Sequence, residues 1–319
     1  MSELIAKTSF VSDVQAKEYI KSCESAFRTR IDHIADCILE QKNVRLLGLG
    51  GPTCAGKSTA AKLLIRHLES AGMRVHMISI DDFFREQPHA MALMEDPDGH
   101  KKLDFDSIDA LDFPLLRASV ISLMSNGYAK LPRFDLSTGL RSGVYELKVK
   151  DDRDIFLFEG IQTVYPQINA LFREYPYYSM LINVQSPLIA NGLRFEPNHI
   201  RLLRRLVRDY YRRSSPPEFT FFAWHSVREN EENNIFPYVD ACDATMDSLM
   251  GYELSMLRPY LEHILSTLPT DNASYDLATR ILEEIKGVQP LSESLLPPDS
   301  LYREFVGAAG VSNESMQGV

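Results

Sequence analysis

Residues 44–59 read VRLLGLGGPTCAGKST. Val44 to Leu49 is a short apolar run that ends in glycines, the pattern of a strand buried on both faces. From Gly56 the spacing changes, with Ala60, Leu63, Leu64 and Leu68 on one helical face and a stop near Ala71-Gly72. Between strand and helix, Gly51-Pro52-Thr53-Cys54-Ala55-Gly56-Lys57-Ser58, with Thr59 next, fits G-x-x-x-x-G-K-[ST] at every fixed position. A glycine-rich turn that merely contained Lys-Ser would lack both flanks. Here the glycines let successive N–H groups curl inward, and the helix N-terminus adds partial positive charge. Lys57 then brings a full charge to the β- and γ-phosphates, and the Ser58 hydroxyl reaches a magnesium ion. ATP and Mg2+ are the expected cofactors.

Working outward, a strand is expected over Arg74 to Ile80, a central strand over Ile155 to Phe158 and another over Tyr178 to Val184. Helices are expected over Val14 to Gln41, Ile108 to Met124, Ile200 to Arg213, Tyr252 to Leu265 and Tyr275 to Lys286. Short strands fall near Ala129 to Phe134, Val144 to Val149 and Ala244 to Met246. Alternation of this kind predicts an α/β fold of the P-loop type, a parallel sheet flanked by helices. The expected division is an N-terminal helical segment (1–43), a P-loop domain (44–268), and a C-terminal helix with a loosely packed, Pro/Ser/Gly-rich tail (269–319). The tail's Leu295, Leu296, Leu301, Tyr302 and Phe305 are able to dock on a domain or a partner.

Two acidic sites stand at strand ends, where ligands of open α/β sheets bind. ISIDDFF places Asp81 and Asp82 just past one strand, and IFLFEG places Glu159 just past the central one. Asp81 is the candidate general base and a metal contact, and Glu159 the acid behind the metal. Asp82 is expected to face a local turn, and capping is the alternative role for each acid. Six arginines crowd one helix: Arg201, Arg204, Arg205, Arg208, Arg212 and Arg213 against a single Asp209. Such a strip fits a lid over transferring phosphate. A solvated charged face is the other reading.

The net charge of −10 over 319 residues argues against nucleic acid and against anionic membrane as general partners. The four cysteines, Cys23, Cys37, Cys54 and Cys242, form no CxxC pair and no zinc spacing with histidine. No window approaches the ~18 apolar residues of a membrane span, and no signal peptide opens the chain. A cytoplasmic protein is expected, with the homo-oligomeric state left open. No G-x-S-x-G elbow supports a hydrolase. The run Phe219, Phe221, Phe222, Trp224 reads as helix packing.

Together GGPTCAGKST, SIDDFF, DFDSIDALD, LPRFD, LFEGI and RLLRRLVRDYYRR, in this order over Val44 to Leu265, resemble the uridine kinase and phosphoribulokinase family. The segment from Trp224-His-Ser-Val-Arg228 to Tyr252-Glu-Leu254 is most similar to a bacterial nucleoside and uridine kinase-like branch. Some of its members carry a TGS-type domain, for which the helical segment before Val44 leaves no room. The resemblance implies Lys57 and Ser58 at phosphate and magnesium, Asp81 as base, Glu159 near the metal, and Arg204 and Arg208 in the lid. It implies Asp106, beside Phe105, on substrate hydroxyls, where a carboxylate accepts two hydrogen bonds from a diol. Phe134 would line the acceptor pocket and Arg201 would reach the acceptor. Pyrimidine-selective members carry a Tyr and, five residues on, a His that read the base; here these are Phe134 and Gly139.

The expected function is transfer of the γ-phosphoryl of ATP to a hydroxyl of a small molecule, as in a uridine kinase. A sugar or polyol such as inositol is the alternative acceptor, and a non-catalytic nucleotide switch the alternative class.

Overall fold

The computed structural model describes residues 3–86, 93–95, 101–103 and 105–306. In chain order the first elements are β1 (Leu4–Ile5), α1 (Asp13–Glu40), β2 (Leu46–Gly50), α2 (Lys57–Ser70) and β3 (Arg74–Ser79). Next come β4 (Leu93–Glu95), β5 (Lys101–Leu103), α3 (Phe113–Asn126), β6 (Tyr128–Asp135), β7 (Leu140–Lys148), β8 (Asp154–Glu159) and α4 (Pro166–Phe172). The rest are β9 (Tyr177–Asn183), β10 (Leu188–Ala190), β11 (Leu193–Phe195), α5 (Pro197–Arg213), α6 (Pro217–Asn234), β12 (Ala244–Asp247), α7 (Glu253–Leu265) and α8 (Tyr275–Ile285).

The chain forms two compact units that cut across the expected linear division. One holds Arg28–Asn183 and His225–Ser248. The other holds residues up to Phe27, Val184–Trp224 and the chain from Leu249 on. The boundaries differ from those expected because chain proximity in sequence is no guide to which segments share a core.

The first unit is built on a five-stranded sheet of order β12-β9-β2-β8-β3, parallel throughout. Every residue of β2 and the first five of β8 are buried, as strands covered on both faces require. Side chains alternate along a strand, so Leu46 joins Ile78, Phe156 and Phe158 in a cluster with Leu116 and Val120 of α3 and Phe172 of α4. Leu47 and Leu49 face the other way and are equally buried. The sheet is therefore flanked by helices. α2 buries Ala60, Ala61, Leu63, Leu64 and Leu68.

At the amino edge of this sheet Asp154 has no exposed surface and is fully engaged. It accepts from Arg74 at 3.1 and 2.9 Å, from His76 at 2.7 Å, and from the backbone N–H groups of Lys150 and Asp151 at 2.7 and 2.9 Å. Burial pushes the carboxyl's pKa up, but Arg74, His76 and the two N–H groups outweigh it and hold the group well below the ordinary carboxylate range.

The second unit carries a small sheet, β1-β10-β11, with α5, α7, α8 and the chain that follows α8. The expected looseness of residues 269–319 is corrected here for residues 269–306. Ile281, Ile285, Val288, Leu291, Leu296, Leu301, Tyr302, Phe305 and Val306 are all buried. Gln289 N donates to Thr8 O at 2.8 Å and Leu291 N to Ser255 O at 2.9 Å. A Pro- and Ser-rich composition lowers helix content without lowering apolar burial, so it misled. Residues 307–319 of that tail lie outside the described residues.

Inside the same unit Arg204 is wholly buried, its fork set on Glu253, which is buried as well. The rings of Tyr302 and Phe305 cover the guanidinium at 5.6 and 5.3 Å. Glu24 is another buried carboxylate, accepting from Tyr252 at 2.7 Å and from Ser300.

Two stability tests follow from these pairs. Glu253→Gln leaves a buried guanidinium without its counter-charge, and urea unfolding should show a loss of about 3–5 kcal/mol. Asp154 has a depressed pKa, so its stabilisation is complete above the ordinary carboxylate value near 3.8 and is lost as pH falls below it. Asp154→Asn should therefore destabilise at neutral pH and flatten the fall of Tm between about pH 5 and 2. An unchanged acid profile would show that this network does not govern acid unfolding.

Candidate active site

β2 ends at Gly50, and the chain turns at once into the loop. Gly51 has φ 149°, and a Cβ there would lie 2.1 Å from Ile182 O of β9. Only glycine fits both the conformation and the approach. The loop passes through Pro52, Thr53, Cys54 (φ 57°) and Ala55 to Gly56 (φ 89°), which caps α2. Lys57 is the first helical residue, and its Nζ donates to Gly51 O at 3.0 Å and Pro52 O at 3.1 Å. The ammonium is thus drawn back over the curled loop, where phosphate charge would meet it together with the helix N-terminus. Ser58 is exposed, and Thr59 is half-buried beside it.

The register of the sheet brings the acids to this edge. Leu49 pairs with Glu159, and Glu159 pairs with Ser79 on the other side. Adjacent strands lie about 4.8 Å apart, so Glu159 stands one strand from the loop's root, and Asp81, two residues beyond Ser79, about two strands away. Ser79 Oγ accepts from Asp81 N at 3.2 Å, fixing the turn that carries Asp81 off the strand. Gly160 N donates to Leu49 O at 3.2 Å, and a Cβ on Gly160 would lie 2.7 Å from Ile80 Cβ. Among the described residues no three His, Cys, Asp or Glu side chains cluster as a metal cage. Ser58, Asp81 and Glu159 are oxygen donors on neighbouring tips, the kind that magnesium takes alongside phosphate and water.

Asp82 differs from expectation. It does not serve a local turn but crosses to β6, accepting from Phe134 N at 3.0 Å and Arg133 at 3.3 Å. Burial pushes its pKa up, against the lowering effect of the Phe134 N–H and Arg133. Asp82 is therefore an anchor for the strand that carries Phe134.

Phe84, Phe105 and Phe134 are brought together from separate segments of this unit. Phe84 links Phe105 and Phe134, with ring centroids 4.8 and 5.7 Å away. Gln162 Nε2 donates to Phe105 O at 2.6 Å, and Tyr165 Oη donates to Asp106 O at 2.7 Å. Gly139 has φ 69° and closes the β6–β7 turn, its N–H donating to Asp135 O at 2.8 Å. A histidine there would be strained. Phe84, Gln162, Tyr165 and Asn230 were not singled out in the sequence. The only signal for Gln162 and Tyr165 was their nearness to Glu159-Gly160.

The lid assignment of Arg204 is corrected. Its burial against Glu253 leaves no surface to meet a phosphate, because the acid partner comes from a distant part of the sequence. Arg208, on the same α5 in the other unit, turns onto Asp209 at 2.8 Å, and Arg205 joins it at 3.0 Å. Burial pushes Asp209 up, yet Arg208, Arg205 and Arg213 hold its pKa below the ordinary range. Arg201 is 1% exposed and stacks over Trp224 at 5.5 Å. Along this helix Arg201 and Arg204 are buried, Arg205 and Arg208 are half-buried on Asp209, and Arg212 and Arg213 are exposed.

A family model described as phosphoribulokinase / uridine kinase matches residues 46–255. The uridine kinase of Chloroflexus aggregans is 25% identical over 178 residues, 56% of this chain and 74% of that protein. The uridine kinase of Mycoplasma genitalium is 24% identical over 174 residues, 54% of this chain and 70% of that one. Uridine-cytidine kinase C of Dictyostelium discoideum is 25% identical over 179 residues, so the chain spans about a third (32%) of its length. A solved structure titled a possible uridine kinase from Bacillus stearothermophilus covers 69% of this chain and 98% of its own, with TM-score 0.44 and 19% identity. Among the described residues no helix is long and apolar enough to cross a membrane. With the family model matching well over half of its length, this chain belongs to the phosphoribulokinase / uridine kinase family.

Proposed function

We propose that the chain is an ATP-dependent kinase that phosphorylates a hydroxyl of a ribonucleoside. What supports the reading above all is the register Leu49–Glu159–Ser79, with the phosphate loop at one end and Asp81 just beyond the other. A nucleotide switch has no use for a second carboxylate facing a second substrate. Phosphoryl transfer asks little covalent chemistry of a protein; it asks for position and charge.

In this reading the loop N–H groups and Lys57 bind the triphosphate, and Ser58, with Asp81 and Glu159, would hold Mg2+. The ion supplies neutralisation of charge on the β- and γ-phosphates. Asp81 accepts the proton of the acceptor hydroxyl while that oxygen bonds to the γ-phosphorus and the bond to the β-phosphate oxygen breaks, releasing ADP. Asp106 accepts hydrogen bonds from the ribose diol.

The ring faces of Phe105 and Phe134 favour a planar base over a sugar alcohol. With Phe134 and Gly139 lacking polar side-chain atoms, base edges go unread, so discrimination among bases should be weak. The cytoplasm, where thiols stay reduced, is the compartment that goes with this activity.

The test is ADP release with uridine, cytidine, adenosine, guanosine and inosine, against myo-inositol and sorbitol. Turnover only with ribonucleosides is expected. Turnover with polyols alone, or slow turnover independent of any acceptor, would overturn the reading. Asp81→Asn should lower kcat by about 10²- to 10⁴-fold with ATP affinity nearly unchanged. Equal loss of both would make Asp81 chiefly structural or a metal ligand. Asp106→Asn should raise the acceptor KM by roughly 10- to 100-fold and leave that for ATP alone.

A further inference from the structure

The carbonyls on either side of the Phe105–Asp106 junction are both held by side chains from one short segment, Gly160–Tyr165. Gln162, 1% exposed, donates to Phe105 O at 2.6 Å; Tyr165, also 1% exposed, donates to Asp106 O at 2.7 Å. That segment is tied to the root of the phosphate loop. Gly160 N donates to Leu49 O, and a Cβ on Gly50 would lie 2.4 Å from Val164 Cγ1 and 2.7 Å from Thr163 Oγ1.

The Tyr165 hydroxyl is itself oriented. Asn234 Nδ2 donates to Asn230 Oδ1 at 2.8 Å, which sets the Asn230 amide so that its Nδ2 faces Tyr165 Oη at 2.7 Å. Oη also lies 3.1 Å from Asn230 Oδ1, but that oxygen already accepts from Asn234, and the shorter 2.7 Å contact directs the hydroxyl proton to Asp106 O. Donation thus runs one way, Asn234 to Asn230 to Tyr165 to Asp106, and chains of this kind polarise and strengthen one another.

We propose that Tyr165, oriented by Asn230, is a positioning residue for the acceptor carboxylate Asp106. It fixes that residue's backbone relative to the phosphate loop, so that acceptor and nucleotide share one frame. The inference rests on the reading of Asp106 as the acceptor-binding residue. A carboxylate that accepts two hydrogen bonds from a diol tolerates little rotation, and its Cα–Cβ direction follows its peptide planes. Loosening one carbonyl should blur acceptor binding while leaving the loop and Asp81 intact.

The test is steady-state kinetics with uridine, or with the ribonucleoside of highest kcat/KM from the panel above. Tyr165→Phe keeps the ring in its apolar cluster with Val164, Leu181 and Ile235. It should raise the acceptor KM about 3- to 10-fold, with kcat within about threefold and the KM for ATP unchanged. Asn230→Asp has the same shape but offers no N–H; it draws the tyrosine proton to itself and should reproduce the Tyr165→Phe effect. The double variant should be no worse than Tyr165→Phe alone, because Asn230 acts through that hydroxyl. Parallel changes in both KM values and kcat would reduce Tyr165 to a general structural role and overturn the proposal, as would an unchanged acceptor KM in both single variants. Asp106→Asn separates the two levels. If it raises the acceptor KM and the tyrosine variant does not, only the positioning role fails; if it does not, the acceptor site itself is misassigned.

Discussion

A Cβ on Gly51 would stand 2.1 Å from Ile182 O, and one on Gly160 would stand 2.7 Å from Ile80 Cβ. Backbones that approach this closely cannot be wedged apart by side chains, so the loop is pressed onto β9 and the tip of β8 onto the start of the Asp81 turn. The phosphate loop, Glu159 and Asp81 consequently belong to one packed block. Close-packed interiors transmit a displacement and do not absorb it. For a reaction governed by alignment over fractions of an ångström, that rigidity at the carboxyl edge is the physical precondition of every role assigned above.

The second unit applies a different constraint, that of charge removed from water. Arg204 is stable inside only because Glu253 meets its fork and two aromatic faces cover it. Those faces, Tyr302 and Phe305, come from the C-terminal stretch whose composition reads as loose. An uncovered Arg204 would be hydrated, and an uncovered Tyr302 would expose a large apolar face. Each needs the other, which explains why a segment rich in Pro and Ser is nonetheless packed. Asp209 works similarly within α5, gathering Arg205, Arg208 and Arg213 about one buried carboxylate.

The sheet and its helices were legible because their cause is local. Periodicity set β2, α2, β3, β8 and β9 within a residue or two, and the glycines of 51–56 marked the loop by the geometry that they permit. The parallel sheet also followed from alternation, and with it the expectation that Lys57, Asp81 and Glu159 stand at one edge; the strand order did not. Partners set by long-range contact were not legible. Nothing near Arg204 in the sequence names Glu253, and nothing near Asp82 names the N–H of Phe134. A helical count of arginines sees charge but not the acid that neutralises it. The Gln162 and Tyr165 contacts with Phe105 and Asp106 were hidden for the same reason: hydrogen bonds to backbone carbonyls impose no pattern on the residues that they hold.

Asp81 and Asp82 share one short turn, and Asp82 reaches from it to the strand that carries Phe134. Asp82 is buried and costly to ionise, yet the Phe134 N–H and Arg133 offset that cost. Its effect is to tie the C-terminal end of β6 to the turn that carries Asp81. Just beyond that same end of β6 the turn has a positive φ at Gly139, a conformation that side-chain-bearing residues adopt uncommonly. Phe134 and Gly139 thus place no polar side-chain atom on this end of the hairpin, the first by residue type and the second by having no side chain.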